Sequence, residues 1–74
     1  MVNRELMRTR REALGLSQLE LGFRLNTEQE VISKWERGAT SPRVASLVAW
    51  CRELGVEPND ALVGWDKFEE RVMK

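Results

Sequence analysis

Glu28, Gln29 and Glu30 place two carboxylates and an amide on consecutive residues, and Ser33, Lys34 and Arg37 follow on the same stretch. General acid–base catalysis needs carboxylates that converge on one point. Residues two apart on a helix do not face each other, so Glu28 and Glu30 are a poor pair for it. The chain has no histidine and one cysteine, Cys51, which argues against a zinc site, a thiol nucleophile or an internal disulfide framework. It has no glycine-rich phosphate loop and no metal-ligand cluster. No enzyme activity, cofactor, metal or small-molecule ligand is expected. Side chains of these types can also act by recognition. The Gln29 amide donates and accepts at once, the pattern that pairs with N6 and N7 of adenine; otherwise it is an ordinary surface residue. Ser33 follows Gln29 at i+4 and shares its face. Lys34 and Arg37 reach a base edge or a phosphate, or remain solvated charges. Glu28 either accepts from a cytosine amine or answers the dipole at a helix N-terminus.

These side chains are positioned by Ser17–Gly38, which reads as two short helices joined by a tight turn. Ser17 with Glu20, and Thr27 with Glu30, have the Ser/Thr-x-x-Glu spacing of a capping box. Asn26, between them, tolerates the left-handed backbone of a sharp turn. Leu19, Leu21 and Leu25 are expected to face one way on the first helix, and Val31, Ile32 and Trp35 one way on the second. Helices this short do not stand alone in water. They must lean on others, leaving the far face of the second free for a partner.

Those others are legible on either side. Asn3 caps an expected helix Arg4–Leu14, which Gly15 ends. Its Arg4, Arg8, Arg10 and Arg11 against Glu5 and Glu12 give +2. Gly38 stops the second helix of the central pair. Ser41 as N-cap and Pro42 at the first position open a fourth helix with an apolar face of Val44, Leu47, Val48, Cys51 and Leu54. Gly55 closes it, and a short fifth runs from Pro58 to Gly64. Trp65, Phe68 and Val72 then fall on one stripe of a tail expected to be helical. No alternating run suggests a strand. The expectation is an all-α chain, residues 1–74 as a single domain, with a core fold over about 3–64 and a tail over 65–74.

The totals set limits. A 74-residue chain buries only about 60–65% of the surface its unfolded form exposes, so its stability is modest. Twelve basic and twelve acidic residues cancel, so attraction to nucleic acid must come from local patches rather than bulk charge. No apolar run approaches a membrane span, and the opening MVNREL lacks the apolar core of a secretory signal. With the single cysteine this points to a reducing cytoplasm.

Taken together, GLSQ at Gly15–Gln18, VISKWERG at Val31–Gly38, Pro42 and LGV at Leu54–Val56 resemble the phage-repressor-like (Cro/cI, XRE) helix-turn-helix family. The resemblance spans roughly Met7 to Gly64. It implies a five-helix, lambda-repressor-like domain that binds double-stranded DNA, usually as a dimer, and regulates transcription. The helix Glu28–Arg37 would enter the major groove, with Gln29, Glu28, Ser33 and Lys34 as base-contact candidates. Gln18 would hold a phosphate at a helix N-terminus. Arg37, Thr40, Ser41 and Arg43 would meet phosphates or the minor groove. Arg11 and Glu36 match a family ion pair bridging the first and third helices, and Trp35, Trp50 and Cys51 fall at core positions.

The chain departs from the family pattern at Gly22, usually alanine, at about 1 kcal/mol in helix propensity. It departs again at the acidic Glu28–Glu30 start of the reading helix. The resemblance therefore implies a repressor on a palindromic operator. The neutral charge and the acidic start motivate an alternative: a protein-binding regulator on the same fold, such as an antitoxin, controller or anti-repressor component. Leu62, Trp65, Phe68 and Val72 are the candidate contacts of a homodimer, since such a stripe on a small domain either folds back or meets a second copy.

Overall fold

The computed structural model describes residues 2–62. The expected contacts of Trp65, Phe68 and Val72, and the expected end of the fifth helix at Gly64, lie outside the described residues. Among the described residues five helices follow in order: α1 (Arg4–Ala13), α2 (Gln18–Arg24), α3 (Gln29–Arg37), α4 (Val44–Leu54) and α5 (Pro58–Ala61). Among the described residues there is no strand. An isolated antiparallel bridge joins Val2 to Leu62, and the Asn3 N–H donates to the Ala61 carbonyl at 2.6 Å, so α5 is tied to the start of α1. Leu62, a candidate dimer contact, is half-buried against the chain's own core.

Local chemistry explains most of the helix ends. The Asn3 side chain accepts from the Leu6 N–H at 3.2 Å and starts α1. The capping box of α2 is complete, with Glu20 N–H donating to Ser17 Oγ at 3.0 Å and Ser17 N–H donating to Glu20 Oε1 at 3.3 Å. Asn26 is left-handed, at φ 56°. It lets the Thr27 N–H donate back to the Gly22 carbonyl at 2.8 Å, satisfying one of the carbonyls at the end of α2.

That same bond overturns the second capping box. The Thr27 N–H is already engaged with Gly22, so Glu30 cannot receive it. Helix α3 starts at Gln29 with Glu28 as an N-cap that makes no side-chain bond, and Glu30 instead lies 3.8 Å from Lys34. The fourth helix also starts later than expected, at Val44 with Arg43 as N-cap. Pro42 is half-buried in a recess beside Trp35, where it anchors the loop rather than opening the helix.

The core joins Met7, Leu16, Leu21, Ile32, Trp35, Leu47, Trp50, Cys51, Leu54 and Ala61. Trp35 and Trp50 meet with ring centroids 5.2 Å apart and planes tilted by 41°. Burial pushes the Cys51 thiol up from its ordinary pKa, as expected for a packing residue. Three expected core positions lie outside, among them Val48, 39% exposed on α4. Leu19 is 61% exposed, because it sits two residues from buried Leu21 and so about 200° around the helix. Val44 is 74% exposed in the first turn of α4, and the buried stripe begins at Leu47.

Gly22 has a role beyond its low propensity. It is buried where α2 crosses α3, and a Cβ there would lie 3.0 Å from the Thr27 carbonyl oxygen and 3.2 Å from the Gln29 nitrogen. The backbones touch because nothing stands between them. Gly22→Val should force them apart and cost about 1–3 kcal/mol, the range for overpacking. A lowered midpoint in urea unfolding checks this; an unchanged midpoint would mean the crossing has slack.

Candidate nucleic-acid interface

The orientation of α3 is decided from its inner side. Ile32, Trp35 and the Glu36 side chain are buried, and Val31 is half-buried. On a 3.6-residue helix this leaves the opposite stripe outward. Glu30 and Arg37 are exposed there, Ser33 and Lys34 are half-buried at its edge, and Gln29 is exposed in the first turn, on the flank about 60° from Ile32. Gln29 and Ser33 share a face one turn apart. Glu28 is exposed just before the helix, where its carboxylate suits the N-terminal dipole.

Behind α3 lies a buried charge network. Arg11 Nε donates to Glu36 Oε2 at 2.6 Å and Nη2 donates to Glu36 Oε1 at 3.1 Å. Arg11 Nη1 donates to the Leu16 carbonyl at 2.7 Å. The Glu36 hydrogen bond raises the guanidinium pKa, and burial opposes it. Arg11 thus clamps α1, the α1–α2 turn and α3 together. Gln18 enters the same network, its Nε2 donating to Glu36 Oε1 at 3.0 Å. The amide nitrogen expected on a phosphate is turned inward, and what α2 offers outward at its N-terminus is backbone.

The α3–α4 loop carries the other candidates. Gly38 ends α3 at φ 77°, with its N–H donating to the Trp35 carbonyl and the Ala39 N–H donating to Lys34. This turn sends Thr40, Ser41 and Arg43 out as exposed residues beside the helix C-terminus. Charge is therefore segregated along α3. Glu28 and Glu30 lie at its start, while Arg37 and Arg43 lie at its end without a carboxylate in ion-pair range among the described residues.

Sequence reasoning missed two contacts of α1. Arg4 Nη1 donates to the Arg37 carbonyl at 2.6 Å, and Arg10 Nε donates to the Leu54 carbonyl at 2.9 Å. Each places a cation at the C-terminus of another helix, where the dipole favours it. The partners are 33 and 44 residues away, and no local spacing signals them. Phe23 stands 86% exposed on the outer side of α2, next to the exposed Leu19.

Among the described residues no helix is long and apolar enough to cross a membrane, and no cluster of metal-ligating side chains is present. A helix-turn-helix family profile matches residues 7–60, from α1 into α5. No curated protein and no solved structure gives a significant match. The profile covers most of the chain and coincides with the α2–turn–α3 geometry, so the chain belongs to the XRE-type, Cro/cI-like helix-turn-helix family of DNA-binding transcription regulators.

Proposed function

We propose that this protein is a repressor that reads a palindromic operator with the outer face of α3. The observation that carries the reading is the Gln29 side chain, exposed one turn from Ser33 on a helix that buried Ile32 and Trp35 anchor to the core. In the major groove Gln29 reads adenine, Ser33 and Lys34 lie further along the helix, and Glu28 accepts from a cytosine amine. The basic end of α3, with Arg37, Thr40, Ser41 and Arg43, meets the backbone or the minor groove. The free N–H groups at the start of α2, beside Gln18, meet a second phosphate. A homodimer held by Leu62, Trp65, Phe68 and Val72 sets two such faces about 34 Å apart, one turn of DNA.

Competition binding between an operator and single-base variants tests this. Gln29→Ala should lose about 1–3 kcal/mol of discrimination at one base pair, while Arg43→Ala should weaken all duplexes alike. An unaltered preference in Gln29→Ala would move the reading face elsewhere.

A second reading, a protein-binding regulator of the same fold, is favoured by the exposed Leu19 and Phe23 on α2 and the acidic start of α3. It requires that no duplex be bound at low salt.

A further inference from the structure

We propose that Arg4, at the start of α1, joins Thr40 and Ser41 in a clasp for one DNA backbone phosphate at the C-terminal end of α3. The proposal rests on α3 being the DNA-reading helix.

Arg4, Thr40 and Ser41 line a recess of about 210 Å³ that is floored by Trp35, Gly38 and Pro42. The guanidinium lies directly over Gly38: a Cβ there would fall 2.5 Å from Nη1 and 2.8 Å from Cζ. The bond from Nη1 to the Arg37 carbonyl holds it in place. A guanidinium carries five N–H donors in a fixed fork, and the bond to Arg37 engages only one nitrogen. The remaining donors border a recess whose other polar side chains are two hydroxyls. Among the described residues no carboxylate lies in ion-pair range of Arg4.

A delocalised cation, already positioned and flanked by hydroxyl donors, matches a tetrahedral anion with several acceptor oxygens. The recess takes in Gly38, the residue after Arg37, and so lies at the C-terminal end of α3. The anion in reach of a groove-bound α3 at that point is a phosphodiester. Glycine at position 38 is part of the arrangement, because any side chain there would displace the guanidinium.

The test is the salt dependence of binding to one duplex, read for the parent and for Arg4→Gln and Arg4→Lys. Each phosphate neutralised adds about 0.9 to the log–log slope. Arg4→Gln should lower that slope by about 0.9, so a fourfold rise in salt costs it about 3.5-fold less affinity than it costs the parent. Arg4→Lys should keep most of the slope. Preference among base sequences should not change. A helix-capping role alone would lower thermal stability and leave the slope intact, and that result overturns the clasp.

Duplexes with a single neutral methylphosphonate supply an arm that needs only the parent protein. One backbone position at the edge of the site should weaken the parent, and Arg4→Gln should be indifferent to that position. If the parent is indifferent to every such position while still binding DNA, the clasp alone falls. If the parent binds no duplex at low salt, the DNA reading falls with it.

Discussion

Arg11→Ala should unfold with about 3–5 kcal/mol less free energy than the parent, the cost of removing one partner of a buried ion pair. Glu36 is only 3% exposed at its side chain, and Arg11 10%. Removal takes away both hydrogen bonds to the carboxylate and the bond to the Leu16 carbonyl. It leaves a bare charge in a place water reaches poorly. For 74 residues the whole stability is roughly 4–11 kcal/mol by the usual per-residue range, so this change alone consumes a large share of it. Arg11→Lys should recover only part, because an ammonium cannot reproduce the two-pronged contact. The double change Arg11→Met with Glu36→Leu should be much milder than either single change, since no charge is then stranded. Urea unfolding of Arg11→Ala, Arg11→Lys, the double variant and its two single changes separates these outcomes. A loss under about 1 kcal/mol in Arg11→Ala would class the pair with surface ion pairs. Gln18 also donates to Glu36, so the loss reaches the N-terminus of α2.

Trp50→Ala should cost a similar amount, about 3–5 kcal/mol, by opening a cavity at the centre of the core. Trp50 is fully buried and packs against Trp35. Its indole N–H is also the buried side-chain polar atom without a hydrogen-bond partner among the described residues. An unpaired buried donor costs about 1–3 kcal/mol. Trp50→Phe removes that donor and keeps an aromatic ring against Trp35, so its two effects oppose each other. Its net loss should stay below about 1.5 kcal/mol. For a domain this size each 1 kcal/mol moves Tm by about 4–8 °C. Trp50→Ala should therefore fall by at least about 12 °C, and Trp50→Phe by much less. Equal losses would show that ring volume, not the stranded donor, decides the site.

Much of the architecture is legible in the sequence. Ser17 with Glu20 marks the start of α2 because both partners lie within one turn. Gly15, Asn26, Gly38 and Gly55 mark helix ends because few other residues accept a left-handed backbone. The starts of α3 and α4 are not legible, and the reasons are particular. Thr27 has the right spacing for a cap, but its N–H is taken by the Gly22 carbonyl. Ser41-Pro42 has the right composition, but the proline is held beside Trp35. Leu19 is a leucine in an amphipathic helix that points to solvent because of its angle to Leu21.

The candidate site follows the same division. Gln29 is exposed as the first residue of α3, on the flank of the stripe that Ile32 and Trp35 bury, and Arg11 with Glu36 is implied by the family resemblance. The caps supplied by Arg4 and Arg10 connect distant helices, so only the folded chain brings them together. The net charge of zero conceals the acidic start and basic end of α3.

Selection of bound duplexes from a random pool, run side by side for the parent and Gln29→Ala, addresses the reading face of α3 most directly. The parent should enrich a two-fold symmetric motif with an adenine at one fixed place in each half, and the variant should keep the motif but lose that adenine. A pool that stays random with the parent at low salt, or the same motif recovered intact with Gln29→Ala, would contradict the account.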